Sequence, residues 1–305
     1  MRVFNVKKLV MGATALTALI GLGMGAASAT PTEPSFQITP SSVGSAKGPF
    51  TATDIQGPSN GLIHQTGATT QVESGYLQVA TFLNQGNIVN NTGLLSDWGL
   101  YLDYTAKVTG IGGFGPGNQG NINPGDFTFA MYADVGNNDS YTPASVCDTA
   151  GCLTGPTGAT VGSTTGDVVL AVGYNVTTGN AGFQSTGGPI FGTTSAIILC
   201  DGTAGEGVLS GVKVTNSATA ACGTFDATTF FTAPVPFYNV QFATATTAST
   251  NNLDIGNGAS TGYASLDGIT ATINFAQVPE PISISLFGAG LVGAAFARRR
   301  KAKKA

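Results

Sequence analysis

The chain has 305 residues, room for two average domains, yet 12 Lys and Arg plus 16 Asp and Glu make up just 9% of it, where a soluble domain carries about a quarter. The formal net charge of −4 hides an asymmetry: between Thr30 and Val278 three lysines, Lys47, Lys107 and Lys213, face fifteen acids, a balance of −12, and the other nine cations sit at the two ends. Such a body has no electrostatic means of holding a phosphate polymer, which excludes nucleic-acid binding. An apolar content of 42% suffices for a core and is too scattered for a multi-span membrane protein.

At the front, Arg2, Lys7 and Lys8 precede an uncharged run from Leu9 to Leu22 and then the small residues Ala27-Ser28-Ala29. This is the pattern of a secretory signal peptide over residues 1–29: a signal helix, with Ala27 and Ala29 three residues and one residue before the signal peptidase cut. Residues 30–75 follow as a Pro/Ser/Gly-rich N-terminal segment of weak periodicity, expected to be partly irregular.

From residue 76 to 277 the hydropathy alternates with period two, as half-buried strands require. Trp98, Leu100, Leu102, Tyr104, Ala106 and Val108 form one face of a strand, with Gly99, Tyr101, Asp103, Thr105, Lys107 and Thr109 on the other. The alternation recurs over Phe127–Val135, Val168–Val176 and Ile269–Phe275, and shorter strands are expected at Tyr76–Leu83, Ser195–Leu199, Gly207–Val214 and Phe237–Phe242. Gly110–Gly125 and Thr142–Gly166 read as long loops. The fold class is therefore all-β: an antiparallel β-sandwich-like extracellular domain. Trp98 is expected in the core, and Tyr101, on the opposite face, to be the better exposed aromatic.

Four cysteines in an exported chain point to disulfides. Of the three connectivities, Cys147 with Cys152 and Cys200 with Cys222 are preferred; C-x4-C and C-x21-C spacings and a single remote histidine, His64, speak against a zinc site. Two further motifs carry little chemistry. Gly57-Pro58-Ser59-Asn60-Gly61 fits G-x-S-x-G without the strand-to-helix turn that a nucleophile elbow needs, and Gly110-Ile111-Gly112-Gly113-Phe114-Gly115 fits G-x-G-x-x-G without a following helix. No catalytic residues are assigned and no cofactor is required. Asp134, Asn137 and Asp139 place hard oxygen ligands on a turn at the end of a strand, and calcium is the metal that set suits.

At the far end Val278-Pro279-Glu280-Pro281 precedes sixteen uncharged residues, Ile282–Ala297, and then the basic tail Arg298, Arg299, Arg300, Lys301, Ala302, Lys303, Lys304, Ala305. A helix over the uncharged stretch is roughly 24 Å long, enough for a single transmembrane span in the precursor once the arginines snorkel. Positive charge holds the tail in the cytoplasm and the body outside, in agreement with the signal peptide. The tripartite end at 278–305 resembles the PEP-CTERM sorting signal of Gram-negative bacteria. That resemblance implies export across the inner membrane, transient anchoring, and cleavage near Pro279, Glu280 and Pro281 by an exosortase.

Asp97-Trp98-Gly99-Leu100-Tyr101, the Phe127–Asp134 strand with its Asp/Asn turn, and Pro236-Phe237-Tyr238-Asn239 are similar to segments of the flocculation-associated PEP-CTERM proteins. This second resemblance implies a non-enzymatic surface or matrix protein of a Gram-negative bacterium that supports cell aggregation, in flocs or biofilm, with exopolysaccharide as partner. The alternative expectation is a secreted carbohydrate-binding module or carbohydrate-active enzyme on a β-sandwich.

Overall fold

The computed structural model describes residues 34–175, 177–183, 190–200, 229–234, 242–247 and 253–275. In chain order the strands are β1 (Phe36–Ile38), β2 (Phe50–Ala52), β3 (Asp54–Gly67), β4 (Thr70–Gln78), β5 (Thr81–Asn84), β6 (Asn87–Ile88), β7 (Trp98–Thr109), β8 (Gln119–Ile122) and β9 (Phe127–Val135). They continue with β10 (Ser140–Thr142), β11 (Thr160–Gly162), β12 (Val168–Asn175), β13 (Gly179–Phe183), β14 (Ile190–Cys200), β15 (Phe231–Ala233), β16 (Phe242–Thr247), β17 (Leu253–Ile255) and β18 (Tyr263–Asn274). Among the described residues the only helices are two short 3-10 turns, Pro40–Val43 and Gly258–Ser260, and none is long and apolar enough to cross a membrane.

Eight strands pair in sequence order, every step antiparallel: β3 with β4, then β7, β9, β12, β14, β16 and β18. β18 returns to pair with β3 over Tyr263–Asn274. The sheet thus curls until its last strand meets its first, which removes the exposed edges that an open sheet would leave. The expectation of an all-β antiparallel domain holds, and its sandwich-like facing surfaces are two sides of one curled sheet. The signal helix and the C-terminal helix lie outside the described residues.

The period-two stripes become the inner face. Trp98, Leu100, Leu102, Ala106 and Val108 of β7, Phe127, Phe129, Met131 and Ala133 of β9, and Ile269, Ala271 and Ile273 of β18 are all buried there. One end is filled by aromatic rings. Phe36 meets Phe275 edge-on at 4.8 Å, Phe230 meets Trp98 at 5.5 Å, and the small sheet β15-β1-β2 carries the first of these rings over the opening. Trp98 is fully buried as expected, its indole N–H donating to the Thr92 carbonyl at 2.9 Å.

Regular structure begins well before residue 76. The segment expected to be partly irregular supplies β1, β2, all of β3 and most of β4, and the expected boundary falls inside β4. Its alternation is invisible to hydropathy because several inward positions are small or polar: Gly57, Ser59 and Gly61 of β3, and Glu73 and Gly75 of β4. The glycines there are sterically required. A Cβ on Gly57 would lie 1.8 Å from the Gln78 carbonyl oxygen, and one on Gly75 would lie 2.0 Å from the Asn60 carbonyl oxygen. Pro58 is tolerated inside β3 because it falls where one neighbour has ended, at Gln56 opposite Thr81, and the next begins, at Ser59 opposite Leu77.

Candidate functional site

The outer face of β4, β7 and β9 carries a cluster that hydropathy alone does not announce. Outward side chains of adjacent strands stand opposite one another: Tyr76 opposite Asp103, and Tyr101 opposite Tyr132. Tyr101 stacks on Tyr132 with centroids 5.0 Å apart and planes at 15°. The 136–167 excursion between β9 and β12 folds back over this row. Its β10–β11 hairpin, with Tyr141 opposite Val161, sets Tyr141 against Tyr76 at 5.3 Å and against Tyr101 at 6.0 Å. Tyr101 is therefore 1% exposed, which overturns the expectation of an exposed aromatic: the alternation correctly placed it on the outer face, and the excursion then covered that face.

Three carboxylates converge at the foot of the excursion. Asp134 closes β9, Asp139 follows five residues later, and Asp167 immediately precedes β12. One oxygen from each lies within 4.8 Å of the others. Asp134 is fully buried and organises the turn, its Oδ1 accepting from the Asn138 backbone N–H at 3.0 Å and its Oδ2 from that of Asp139 at 3.2 Å. Gly136 and Asn137 adopt φ of +91° and +52° to make the bend, a conformation glycine and asparagine tolerate best. Opposite, Gly99 has no side chain because a Cβ would stand 2.9 Å from Asp134 Oδ2. The Tyr101 hydroxyl donates to Asp167 Oδ2 at 2.6 Å.

Both oxygens of Asp139 and Oδ1 of Asp167 are closed off from solvent, and the two carboxyl groups share a hydrogen bond in which Asp139 keeps the proton and Asp167 accepts it. Burial first, then the charges of Asp134 and Asp167, push the Asp139 carboxyl up to about 7. Burial, then Asp167, lifts Asp103 to about 6. Burial raises Asp167 too, against the Tyr101 hydroxyl, which favours its ionised form. Tyr101 and Tyr141 are pushed far above the usual phenol range, by burial and by these same carboxylates. Every shift runs toward the protonated form, as expected of acids gathered where water is excluded.

The rest of the excursion is fixed separately. Cys147 and Cys152 are joined as expected, with Cα atoms 5.8 Å apart. Their loop docks on the turn before β18, where the Asn257 N–H donates to the Cys147 carbonyl at 2.7 Å and the Ser260 hydroxyl to the Thr154 carbonyl at 3.3 Å.

On the inner face a second polar group forms a chain. The Tyr104 hydroxyl donates to Glu73 Oε1 at 2.6 Å and lies 3.0 Å from Ser59 Oγ, which donates to the Tyr76 carbonyl. Protein surrounds Glu73, and that desolvation raises its carboxyl above the usual range, the Tyr104 hydroxyl opposing it. Ser59 thus sits mid-strand, bonded to a tyrosine. His64, five residues along β3, stacks on Tyr263 at 4.2 Å with planes at 5°, so the two do not meet as a nucleophile and base.

Of the metal ligands expected from sequence, Asp134 and Asp139 come together, while Asn137 turns its amide to the Leu95 carbonyl at 2.9 Å. Asp167 is the member sequence reasoning missed. It lies 28 residues beyond Asp139, and its sequence signal is faint: an acid just before the strand that returns beside β9. The sorting residues Pro279, Glu280 and Pro281, the tail Arg298, Arg299, Arg300 and Lys301, the signal peptidase positions Ala27 and Ala29, and Cys222, the expected partner of Cys200, all lie outside the described residues.

Among known proteins, residues 277–301 match the PEP-CTERM protein-sorting motif. No curated protein and no solved structure matches the chain. The sorting motif makes this an exported protein processed by exosortase, with a transient C-terminal membrane anchor.

Proposed function

We propose that the processed protein is a non-enzymatic component of the cell surface or extracellular matrix that supports aggregation of cells, in flocs or biofilm, through contacts with exopolysaccharide. The observation that carries this reading is the sorting motif at 277–301, which delivers the body outside the inner membrane and frees it from its anchor. The body suits that destination. It is a curled sheet whose pairing returns to its first strand, its excursion is fastened by a disulfide, and its surface is rich in Thr, Asn and Gly with three lysines between Thr30 and Val278. Signal peptidase at Ala27 and Ala29 and exosortase at Pro279-Glu280-Pro281 are the processing partners in this reading.

The carboxylate cluster lends no weight to the enzymatic alternative. A glycosidase pair works in an open groove that admits a sugar ring; here the acids lie beneath packed tyrosines. The test is genetic. In cells lacking exosortase the protein is expected to stay uncut in the inner membrane fraction, and deletion of its gene in normal cells is expected to reduce aggregation and matrix-bound polysaccharide. Normal processing without exosortase, or unchanged aggregation in the deletion strain, would overturn the proposal. Saturable binding of one defined oligosaccharide would favour the carbohydrate-binding alternative.

A further inference from the structure

The strands β3, β4, β7, β9, β12, β14, β16 and β18 close on themselves, and a wall of about eight strands encloses an interior that side chains can fill or that can hold one small ligand. Aromatic rings fill the end where β7 starts. Toward the other end, where β4 starts and β7 finishes, the inner face carries Glu73 and Tyr104. The Tyr104 hydroxyl bonds Glu73 Oε1 at 2.6 Å and comes within 3.0 Å of Ser59 Oγ. Ser59 stands on β3, with β4 between it and β7, so the Tyr104 ring crosses β4 at Gly75, its register partner. Its hydroxyl hangs over Gly61, 3.1 Å from where a Cβ would stand. A ring laid against the wall over two glycines turns its other face to the interior. Tyr104 and Glu73 are half-buried although protein surrounds both, so the surface they keep faces inward. Glu73 Oε2 accepts no hydrogen bond from the described residues and, unlike the oxygens of Asp139, is not closed off.

We propose that Glu73 and the ring of Tyr104 form an interior binding site for a small organic ammonium ion with an apolar body. The head group donates to Glu73 Oε2, a charge-assisted bond, and rests on the face of Tyr104, whose quadrupole attracts a cation. The apolar body lies over Ala106, which has Glu73 opposite it on one side and Phe127 on the other. Phe127 supplies the facing wall, its ring centroid 6.3 Å from that of Tyr104. The sign of the ligand follows from the charges present. Lys107 pairs with Asp126, Lys47 lies beside Gly93, and no arginine occurs between Thr30 and Val278. An anionic ligand would therefore meet Glu73 with no described cation to hold it, whereas the negative body draws cations toward it. A metal ion finds a single carboxylate here, too few oxygens for a shell. Burial raises the Glu73 carboxyl, and an ammonium beside it supplies the opposite charge that favours the ionised form. Entry is from the end bordered by residues 110–118, where Phe114 packs edge-on against Phe183 at 6.2 Å. The inference does not depend on the aggregation role.

The test uses the full-length chain, purified in a nonionic detergent, with benzylammonium chloride as probe and benzyl alcohol as its neutral counterpart. Calorimetric titration at neutral pH is expected to show saturable binding of benzylammonium at one site per chain, with a dissociation constant below about 1 mM. The alcohol should bind at least tenfold more weakly. Glu73→Gln keeps an acceptor for the Tyr104 hydroxyl, so it should fold, as a circular-dichroism melt will show, and it should weaken benzylammonium binding at least tenfold. Ala106→Val sets two methyl groups where the apolar body lies and should cost as much, a second route to the same answer if either variant fails to fold. Tyr104→Phe retains the ring face and should bind within about threefold of wild type. Asp139→Asn, on the outer face, should bind as wild type does. The proposal is overturned if benzylammonium does not saturate below about 10 mM, if the alcohol binds equally, or if E73Q and A106V bind like wild type. It is likewise overturned if D139N abolishes binding, which would place the cation among the outer acids.

Discussion

Replacing Tyr101 by phenylalanine isolates one hydroxyl at the centre of the outer cluster. The ring keeps its place, stacked on Tyr132 at 5.0 Å and met edge-on by Tyr141 at 6.0 Å, so packing changes little. What disappears is the 2.6 Å bond to Asp167 Oδ2, short and charge-assisted, of a class that contributes about 1.5–3 kcal/mol. The other oxygen of Asp167 is buried, so the substitution leaves that carboxylate with the Asp139 carboxyl as its remaining side-chain partner. We therefore expect a loss of about 2 kcal/mol, which for a domain of this size lowers the melting temperature by about 4–8 °C. Circular-dichroism melts of the chain at neutral pH measure it, and a cycle with Asp167→Asn assigns it: in the D167N background Y101F should cost at least 0.5 kcal/mol less, a threshold on the order of the smallest couplings such cycles resolve. A shift below about 1 °C on the scale of that expectation, or equal costs in both backgrounds, would refute the reasoning and return Tyr101 to a solvated face.

Two other substitutions probe the inner face. Burial raises the Glu73 carboxyl, so the folded state holds its proton more tightly than the unfolded chain; the associated stability is complete below the ordinary carboxylate range and is lost as pH rises through the raised value. Glu73→Gln should accordingly raise the melting temperature at pH 8 relative to wild type and leave it nearly unchanged at pH 4, and equal destabilisation at both would contradict this sign. Gly75→Ala places a methyl group 2.0 Å from the Asn60 carbonyl oxygen, backbone that cannot step aside. A loss on the order of 3 kcal/mol or more is expected, read as reduced soluble yield. Gly48→Ala, with nothing within 4 Å, should stay within about 0.5 kcal/mol of wild type.

Strands whose inner face is conventionally apolar were legible from the alternation. Phe127–Val135 and Trp98–Thr109 appear with the bounds that the pattern drew, and the Val168–Val176 expectation is met over Val168–Asn175, Val176 lying outside the described residues. β3 was hidden because its inward positions are small, Gly57 for the Gln78 backbone and Ser59 and Gly61 for Tyr104 and Glu73, a requirement that exists only once β4 and β7 stand beside it. The same limit governs the site. Asp134 and Asp139 share a turn and could be read from their spacing, whereas Asp167 joins them through the pairing of β12 with β9, Val168 opposite Ala133, a long-range register that local pattern does not carry. Tyr101 shows the converse: its face was read correctly and its exposure was not, since exposure depends on where a remote excursion lands.

The sparse, one-signed charge of the body and the buried acids are two aspects of one design. In a protein with ordinary basic content, four carboxyl groups gathered under tyrosines would be met by an arginine or lysine from a neighbouring strand, and the cluster would read as a structural ion pair. Here there is no arginine between Thr30 and Val278 and there are three lysines, so the described fold cannot neutralise Asp103, Asp134, Asp139 and Asp167 from its own described side chains. The compensating charge comes as protons, one of them shared between Asp139 and Asp167. Protons meet the need at low pH, where Asp139 at about 7 and Asp103 at about 6 are neutral, and they leave as the medium turns alkaline.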